Sequence, residues 1–183
     1  AKVLDIALTK RGKKNGEDIP MCGVPHHSYE SYLYKLINSG YKVAVCEQME
    51  SPEEAKKRGY KAIVRREVVR IITPGTLIED ALLNARESNY LASLVDVKGK
   101  MSLAWIDIST GQFNCCPITR ESISSDLVRL NAKELLIEDK LFIDPELSNI
   151  LREYKSILSP QVSSMFDPAK TENKLKEFSI TCF

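Results

Sequence analysis

Two small mixed α/β domains are predicted from three observations. First, charge is uneven: residues 1–76 carry a net +5 and residues 77–183 a net −4, although the whole chain is only +1. Second, the short apolar run "VVRIITPGT" stops abruptly at Pro74-Gly75, as the last strand of a domain does before the chain leaves it. Third, residues 88–183 read as β-β-β-α-β-α-β, the pattern of a mixed sheet with helices. The expected domains are therefore residues 1–76 and 88–183, joined by a linker over 77–87.

In the first domain, "VLDIALTKRG" alternates Leu4, Ile6 and Leu8 and predicts a strand ending at Gly12. "KRGKKNGED" then reads as a mobile basic loop, and "IPMCGVPHHS" as a second irregular stretch broken by Pro20, Gly23 and Pro25. Ser28 is a candidate N-cap for a helix whose apolar face is Tyr29, Tyr32, Leu33, Leu36 and Ile37, with Gly40 as its stop. "YKVAVCEQM" is nearly all apolar, which predicts a strand covered on both faces. Ser51-Pro52-Glu53-Glu54 offers an N-cap, a proline in the first turn and a capping-box glutamate. Thr76 and Glu79 suggest another capping box, with local helix in the linking segment "LIEDALLNARES".

In the second domain, "NYLASLVDV", "MSLAWIDIS" and "QFNCCPI" form an antiparallel meander, turning at Lys98-Gly99-Lys100 and at Thr110-Gly111. A helix over about 120–131 follows, then the strand "ELLIE", a helix with Asp144 as N-cap and Pro145 in its first turn, and the strand "SILS". Leu175 and Phe178 begin a last amphipathic piece.

Composition is that of an ordinary globular protein, 43% hydrophobic and 28% charged. No run approaches the roughly 18 apolar residues of a membrane span, and no secretory signal pattern is visible. Five cysteines without a C-x-x-C fit a reduced, cytoplasmic protein, with Cys115 and Cys116 on opposite faces of a strand. The chain begins with Ala and ends on "SITCF", so it is expected to be a piece of a longer protein.

Four constellations bear on chemistry. Asp107 in "AWIDISTGQF" occupies the place where ribonuclease-H-like folds carry a metal-binding carboxylate, and Glu138 and Asp139, at the end of the fourth strand, could join it. A two-metal nuclease site needs several such carboxylates together; the stronger reading is that Asp107 anchors the Ser109-Thr110-Gly111 turn. Cys22, His26, His27 and Cys46 match no common zinc spacing, and Cys46 reads as a small core residue. No phosphate-binding G-x-x-x-x-G-K-[ST] or G-x-G-x-x-G is present, so no nucleotide-hydrolysing machinery, cofactor or metal is expected within the chain. Finally, Lys10, Arg11, Lys13 and Lys14, with Arg65 and Arg66, are expected to meet on one rim of a sheet and neutralise phosphates; the alternative is a solvated rim.

The order "LDIALTKRG", "IPMCGVPHHSYESYLYKLINSGYKVAVCEQME", "REVVRIITPGT" resembles the mismatch-binding domain of the MutS family of bacterial DNA mismatch-recognition proteins. "LLNARESNYLASLVD", "LAWIDISTGQF" and "AKELLIED" resemble the connector domain of that family, a ribonuclease-H-like fold without nuclease activity. The resemblance implies binding to duplex DNA containing a mispair, with Arg11 and Arg66 at positions that approach the phosphates and Lys10, Lys13 and Lys14 beside them. It places the Phe-x-Glu motif that reads the mispair upstream of "LDIALTKRG", so the chain is expected to supply the platform and not the reading residues. It also implies a MutL contact through the connector, a homodimer, and ATP with Mg²⁺ in an ATPase domain elsewhere in the full-length protein. The expected location is the cytoplasm, at the nucleoid. The alternative function is a metal-dependent nuclease using Asp107.

Overall fold

The computed structural model describes residues 1–79 and 82–177, so the expected contributions of Phe178 and Cys182 lie outside the described residues. The chain divides into two compact units, Ala1–Leu82 and Leu83–Phe183, the division falling within 77–87.

The first unit begins differently from its expected strand. Residues 2–5 form a turn in which the Leu4 and Ile6 amides donate to the Ala1 carbonyl and Asp5 takes a φ of 51°. That positive φ interrupts an extended chain, so the apolar alternation is not used: Leu4 is buried but Leu8 is 67% exposed. The strand starts later, as β1 (Thr9–Lys14), and pairs antiparallel with β2 (Glu17–Met21). The stretch expected to be a mobile basic loop is therefore a β-hairpin. Its two-residue loop is Asn15-Gly16, with φ of 54° and 85°, the left-handed pair that matches the twist of a hairpin.

After a short 3₁₀ turn, α1 (Tyr29–Asn38) buries Leu33 and Ile37, one turn apart, while Tyr29 stays exposed. Ser28 stands at the N-cap position without a side-chain capping bond. Gly40 ends the helix region at a φ of 82°. α1 packs on β3 (Val43–Gln48), which pairs antiparallel with β4 (Arg66–Ile72). Among the described residues only these two strands form the sheet, and residues 44 and 46–48 are exposed, so β3 is not covered on both faces as expected. Val43 and Val45 are half-buried, whereas Ala44 and Cys46 face out; Cys46 is exposed and not a core residue. Between them, α2 (Pro52–Lys57) has the expected capping box: the Glu54 amide donates to the Ser51 hydroxyl and the Ser51 amide donates to the Glu54 carboxylate.

The box expected from Thr76 and Glu79 is built otherwise. The Thr73 amide donates to Thr76 Oγ1 at 2.8 Å, closing the turn around Pro74-Gly75. Glu79 instead turns back to Arg70 on β4. Residues 77–79 and 82–89 contain no α-helix or strand.

The second unit has the expected β-β-β-α-β-α-β order. Its sheet has five strands, lying side by side as the third, second, first, fourth and fifth in chain order. β5 (Tyr90–Val97), β6 (Lys100–Asp107) and β7 (Gln112–Ile118) form the antiparallel meander, turning first at Lys98-Gly99. β8 (Glu134–Glu138) lies parallel to β5, and β9 (Leu158–Gln161) parallel to β8. The register puts Ala92, Leu94, Leu103, Leu135 and Ile137 on one face. There they form one core with Ile123 and Leu127 of α3 (Ile123–Leu130) and with Leu147 and Leu151 of α5 (Pro145–Glu153). Each of the leucine and isoleucine side chains contributes about 2 kcal/mol of apolar burial. The short α4 (Asp139–Phe142) precedes α5, and α6 (Pro168–Glu177) follows β9. Asp144 caps α5 as expected, accepting from the Glu146 and Leu147 amides. Cys115 is exposed and Cys116 packs against the core, the opposite faces anticipated for them.

Candidate nucleic-acid interface

The basic residues of the first unit are presented by two separate pieces of sheet. Lys10, Arg11, Lys13 and Lys14 stand on the β1–β2 hairpin, every residue of which is exposed. Arg66 opens β4, in the other sheet. The expectation of two strand ends meeting on a single rim is therefore not met: β1 and β4 share no hydrogen-bonded ladder.

Within the hairpin, the register sets which cations act together. Lys10 faces Pro20 and Lys13 faces Asp18, so Arg11 and Gly12 oppose the single residue Ile19 in a β-bulge. Lys10 Nζ donates to Asp18 Oδ2 at 3.0 Å. Among the described residues, Arg11, Lys13 and Lys14 have no ion pair with an acidic side chain. Arg66 is exposed and makes one weak bond, to the Val64 carbonyl at 3.4 Å. Arg65 sits 3.6 Å from Glu67 in a solvent-exposed pair, a contact of small energetic weight.

Glu50 braces the start of β4. Its carboxylate accepts from the Arg65 amide at 2.6 Å and pairs with Arg58 at the end of α2. The Met49 amide donates to the Arg65 carbonyl beside it. Arg65 is thus held at both its amide and its carbonyl just before Arg66 opens β4. Further along β4, Arg70 makes a two-pronged contact with Glu79, Nη1 to Oε1 at 2.7 Å and Nη2 to Oε2 at 3.2 Å. Although burial pushes the Glu79 carboxyl up, the Arg70 bonds and two backbone amides hold it below the usual carboxylate range. Arg70 is therefore engaged within its own unit, tying the outgoing chain to β4.

Asp107 is 4% exposed, and its carboxylate is engaged by its own turn and by Asn89. Oδ1 accepts from the Ser109 amide at 3.0 Å and the Ser109 hydroxyl at 2.6 Å, and Oδ2 accepts from the Asn89 amide at 3.0 Å. Burial pushes this carboxyl up, but the Ser109 and Asn89 bonds outweigh it and leave it below its usual range. The proposed carboxylate partners are elsewhere. Asp107 pairs with Tyr90 at the start of β5, whereas β8 runs parallel to β5 from Leu91 onward. Glu138 therefore lies at the other end of the sheet, about 15 Å along the strands. There it pairs with Lys140, and Asp139 accepts from the Ser163 hydroxyl. A nuclease site built on Asp107, Glu138 and Asp139 is not assembled. Cys22, His26 and His27 are all exposed. Among the described residues no group of three or more His, Cys, Asp or Glu side chains is placed to hold a metal ion.

Sequence reasoning missed the hairpin, although Asn15-Gly16 is its standard signal. It also missed Glu50 and the Arg70–Glu79 pair, which link residues 8 to 15 apart and leave no periodic trace.

Fold and surface together define a class: a two-unit α/β chain whose first unit presents a basic hairpin and whose second is a ribonuclease-H-like sheet with its strand-end aspartate used to build a turn. Residues 1–81 match the family MutS domain I and residues 89–182 match MutS domain II, and the chain belongs to the MutS family. Among curated proteins it is 49% identical to the DNA mismatch repair protein MutS of Wolbachia pipientis wMel over 97% of this chain and 21% of that protein. It is 53% identical to the protein of the same name from Ruegeria pomeroyi over 97% of this chain and 20% of that protein. For the one from Rhizobium meliloti the figure is 46%, again over 97% of this chain and 20% of the relative. The chain thus spans about a fifth of the length of these relatives. Among the described residues no helix is long and apolar enough to cross a membrane.

Proposed function

We propose that this chain is the mismatch-domain platform and the connector of a protein that recognises mispaired or unpaired bases in duplex DNA and initiates mismatch repair. The first unit holds the sugar-phosphate backbone through Arg11, Lys13, Lys14 and Arg66, with Lys10 exchanging Asp18 for a phosphate. The observation that carries this is the hairpin itself: Arg11, Lys13 and Lys14 are exposed and, among the described residues, without an acidic partner, in a chain that matches MutS domain I. Cations left uncompensated on a projecting element gain counterion-release energy from a polyanion, whatever its sequence.

Such contacts position without reading bases. Selectivity then rests on the duplex: bending and unstacking cost a few kcal/mol, and a mispair is already poorly stacked. A rigid platform with phosphate grips suits that task better than a base code. The second unit joins the event to the rest of the protein and meets MutL on its surface. The full-length protein acts as a homodimer, uses ATP with Mg²⁺ in a separate domain, and works in the cytoplasm at the nucleoid.

In the full-length protein, Arg11→Ala and Arg66→Ala are each expected to weaken binding to all duplexes alike. Each should also make the dependence of log affinity on log salt shallower by about 0.9. Unchanged affinity and slope in both variants would remove the hairpin and β4 from the interface.

A further inference from the structure

We propose that Gly12 is a positioning residue for DNA binding: its left-handed backbone creates the β-bulge that brings Lys10 and Lys13 onto one face of the hairpin. The inference rests on the reading of the hairpin as a phosphate-gripping element. The geometry is specific. In a regular strand, residues three apart point to opposite faces. Here Lys10 pairs with Pro20 and Lys13 with Asp18, and those two partners are two apart, so they share a face. The extra residue that makes this so is one of the pair Arg11-Gly12, and Gly12 holds a φ of 70°. The Lys10–Asp18 contact at 3.0 Å, between a residue and the diagonal neighbour of its partner, confirms the shared face.

Lys10 and Lys13 leave the backbone about 7 Å apart along the strand, close enough for their side chains to reach successive phosphates of one strand. Asp18, opposite Lys13 in the register and paired with Lys10, is an internal counter-ion that DNA displaces. Without the bulge, Lys13 turns to the other face and the pair is split. The glycine is not there for lack of room: a Cβ at Gly12 meets nothing within 4 Å. What a side chain would disturb is the backbone conformation. A β-branched residue resists a positive φ, whereas Asn tolerates it.

The test uses the full-length protein and a duplex oligonucleotide carrying one mispair, with Gly12→Val, Gly12→Asn and Lys13→Ala variants. Gly12→Val is expected to reproduce Lys13→Ala. Its salt slope should be shallower by about 0.9, so that the wild-type advantage in affinity falls roughly threefold between 50 and 200 mM salt. Gly12→Asn is expected to restore the wild-type slope. Because every residue of the hairpin strands is exposed, the melting temperature should stay put, which separates positioning from unfolding. If Lys13→Ala lowers the slope and Gly12→Val does not, the bulge inference fails and the reading of the hairpin stands. Equal losses in Gly12→Val and Gly12→Asn would also overturn it. If Lys13→Ala itself changes nothing, the phosphate-gripping role of this face fails, and the inference with it.

Discussion

Asp107→Asn is expected to destabilise the second unit by about 2–4 kcal/mol, read by urea unfolding near neutral pH. The substitution keeps the shape but makes one carboxylate oxygen an NH₂ group. Oδ1 already takes two bonds from Ser109 and Oδ2 takes one from the Asn89 amide. Whichever way the amide is turned, a donor then faces a donor in a site that is 4% exposed. The pH dependence has a definite sign. The folded Asp107 carboxyl lies below its usual value, so its contribution is complete above the unfolded pKa of about 4 and is lost as the pH falls through the lowered folded value. The gap between wild type and Asp107→Asn should therefore be constant at neutral pH and close in strong acid. Mg²⁺-dependent cleavage by the parent, lost in the variant with stability intact, would restore the nuclease reading.

Arg70→Ala is expected to cost about 2–3 kcal/mol in the first unit, because it leaves a carboxylate in a nearly closed site without its cation. The Glu79 side chain is only 8% exposed. In the wild type, burial raises its carboxyl but the Arg70 bonds win. Without Arg70 only the two backbone amides oppose burial, and the folded value moves up. The variant's penalty should then be largest at neutral pH and shrink in acid as Glu79 protonates. Glu79→Gln in the Arg70→Ala background should recover part of the loss. A penalty independent of pH would show that Arg70 acts through packing alone.

The second unit was legible in the sequence because its local chemistry and its burial agree. Asp144-Pro145 gave the start of α5, Lys98-Gly99 the first hairpin turn, and "ELLIE" the whole of β8. The first unit was harder for a physical reason. The hairpin strands are exposed throughout, so they carry no apolar alternation, and Asn15-Gly16 is the only mark of their pairing. The apolar residues that did alternate, Leu4, Ile6 and Leu8, lie in and after a turn. Cys46 is exposed because the apolar strand that carries it is covered on one side only. Asp107 was correctly read as a turn anchor, since Ser109-Thr110-Gly111 offers donors within reach in sequence. The distance between Asp107 and Glu138 needed strand direction, which no local pattern encodes.

The most direct test of the central claim replaces Arg11, Lys13, Lys14 and Arg66 together with alanine in the full-length protein and measures affinity for mispaired and fully paired duplexes across a salt series. If these side chains hold phosphates, the slope becomes shallower by roughly 3 to 4 units, and binding to both duplexes weakens together. A slope that stays at the wild-type value, with affinity for the mispaired duplex retained, would contradict the account.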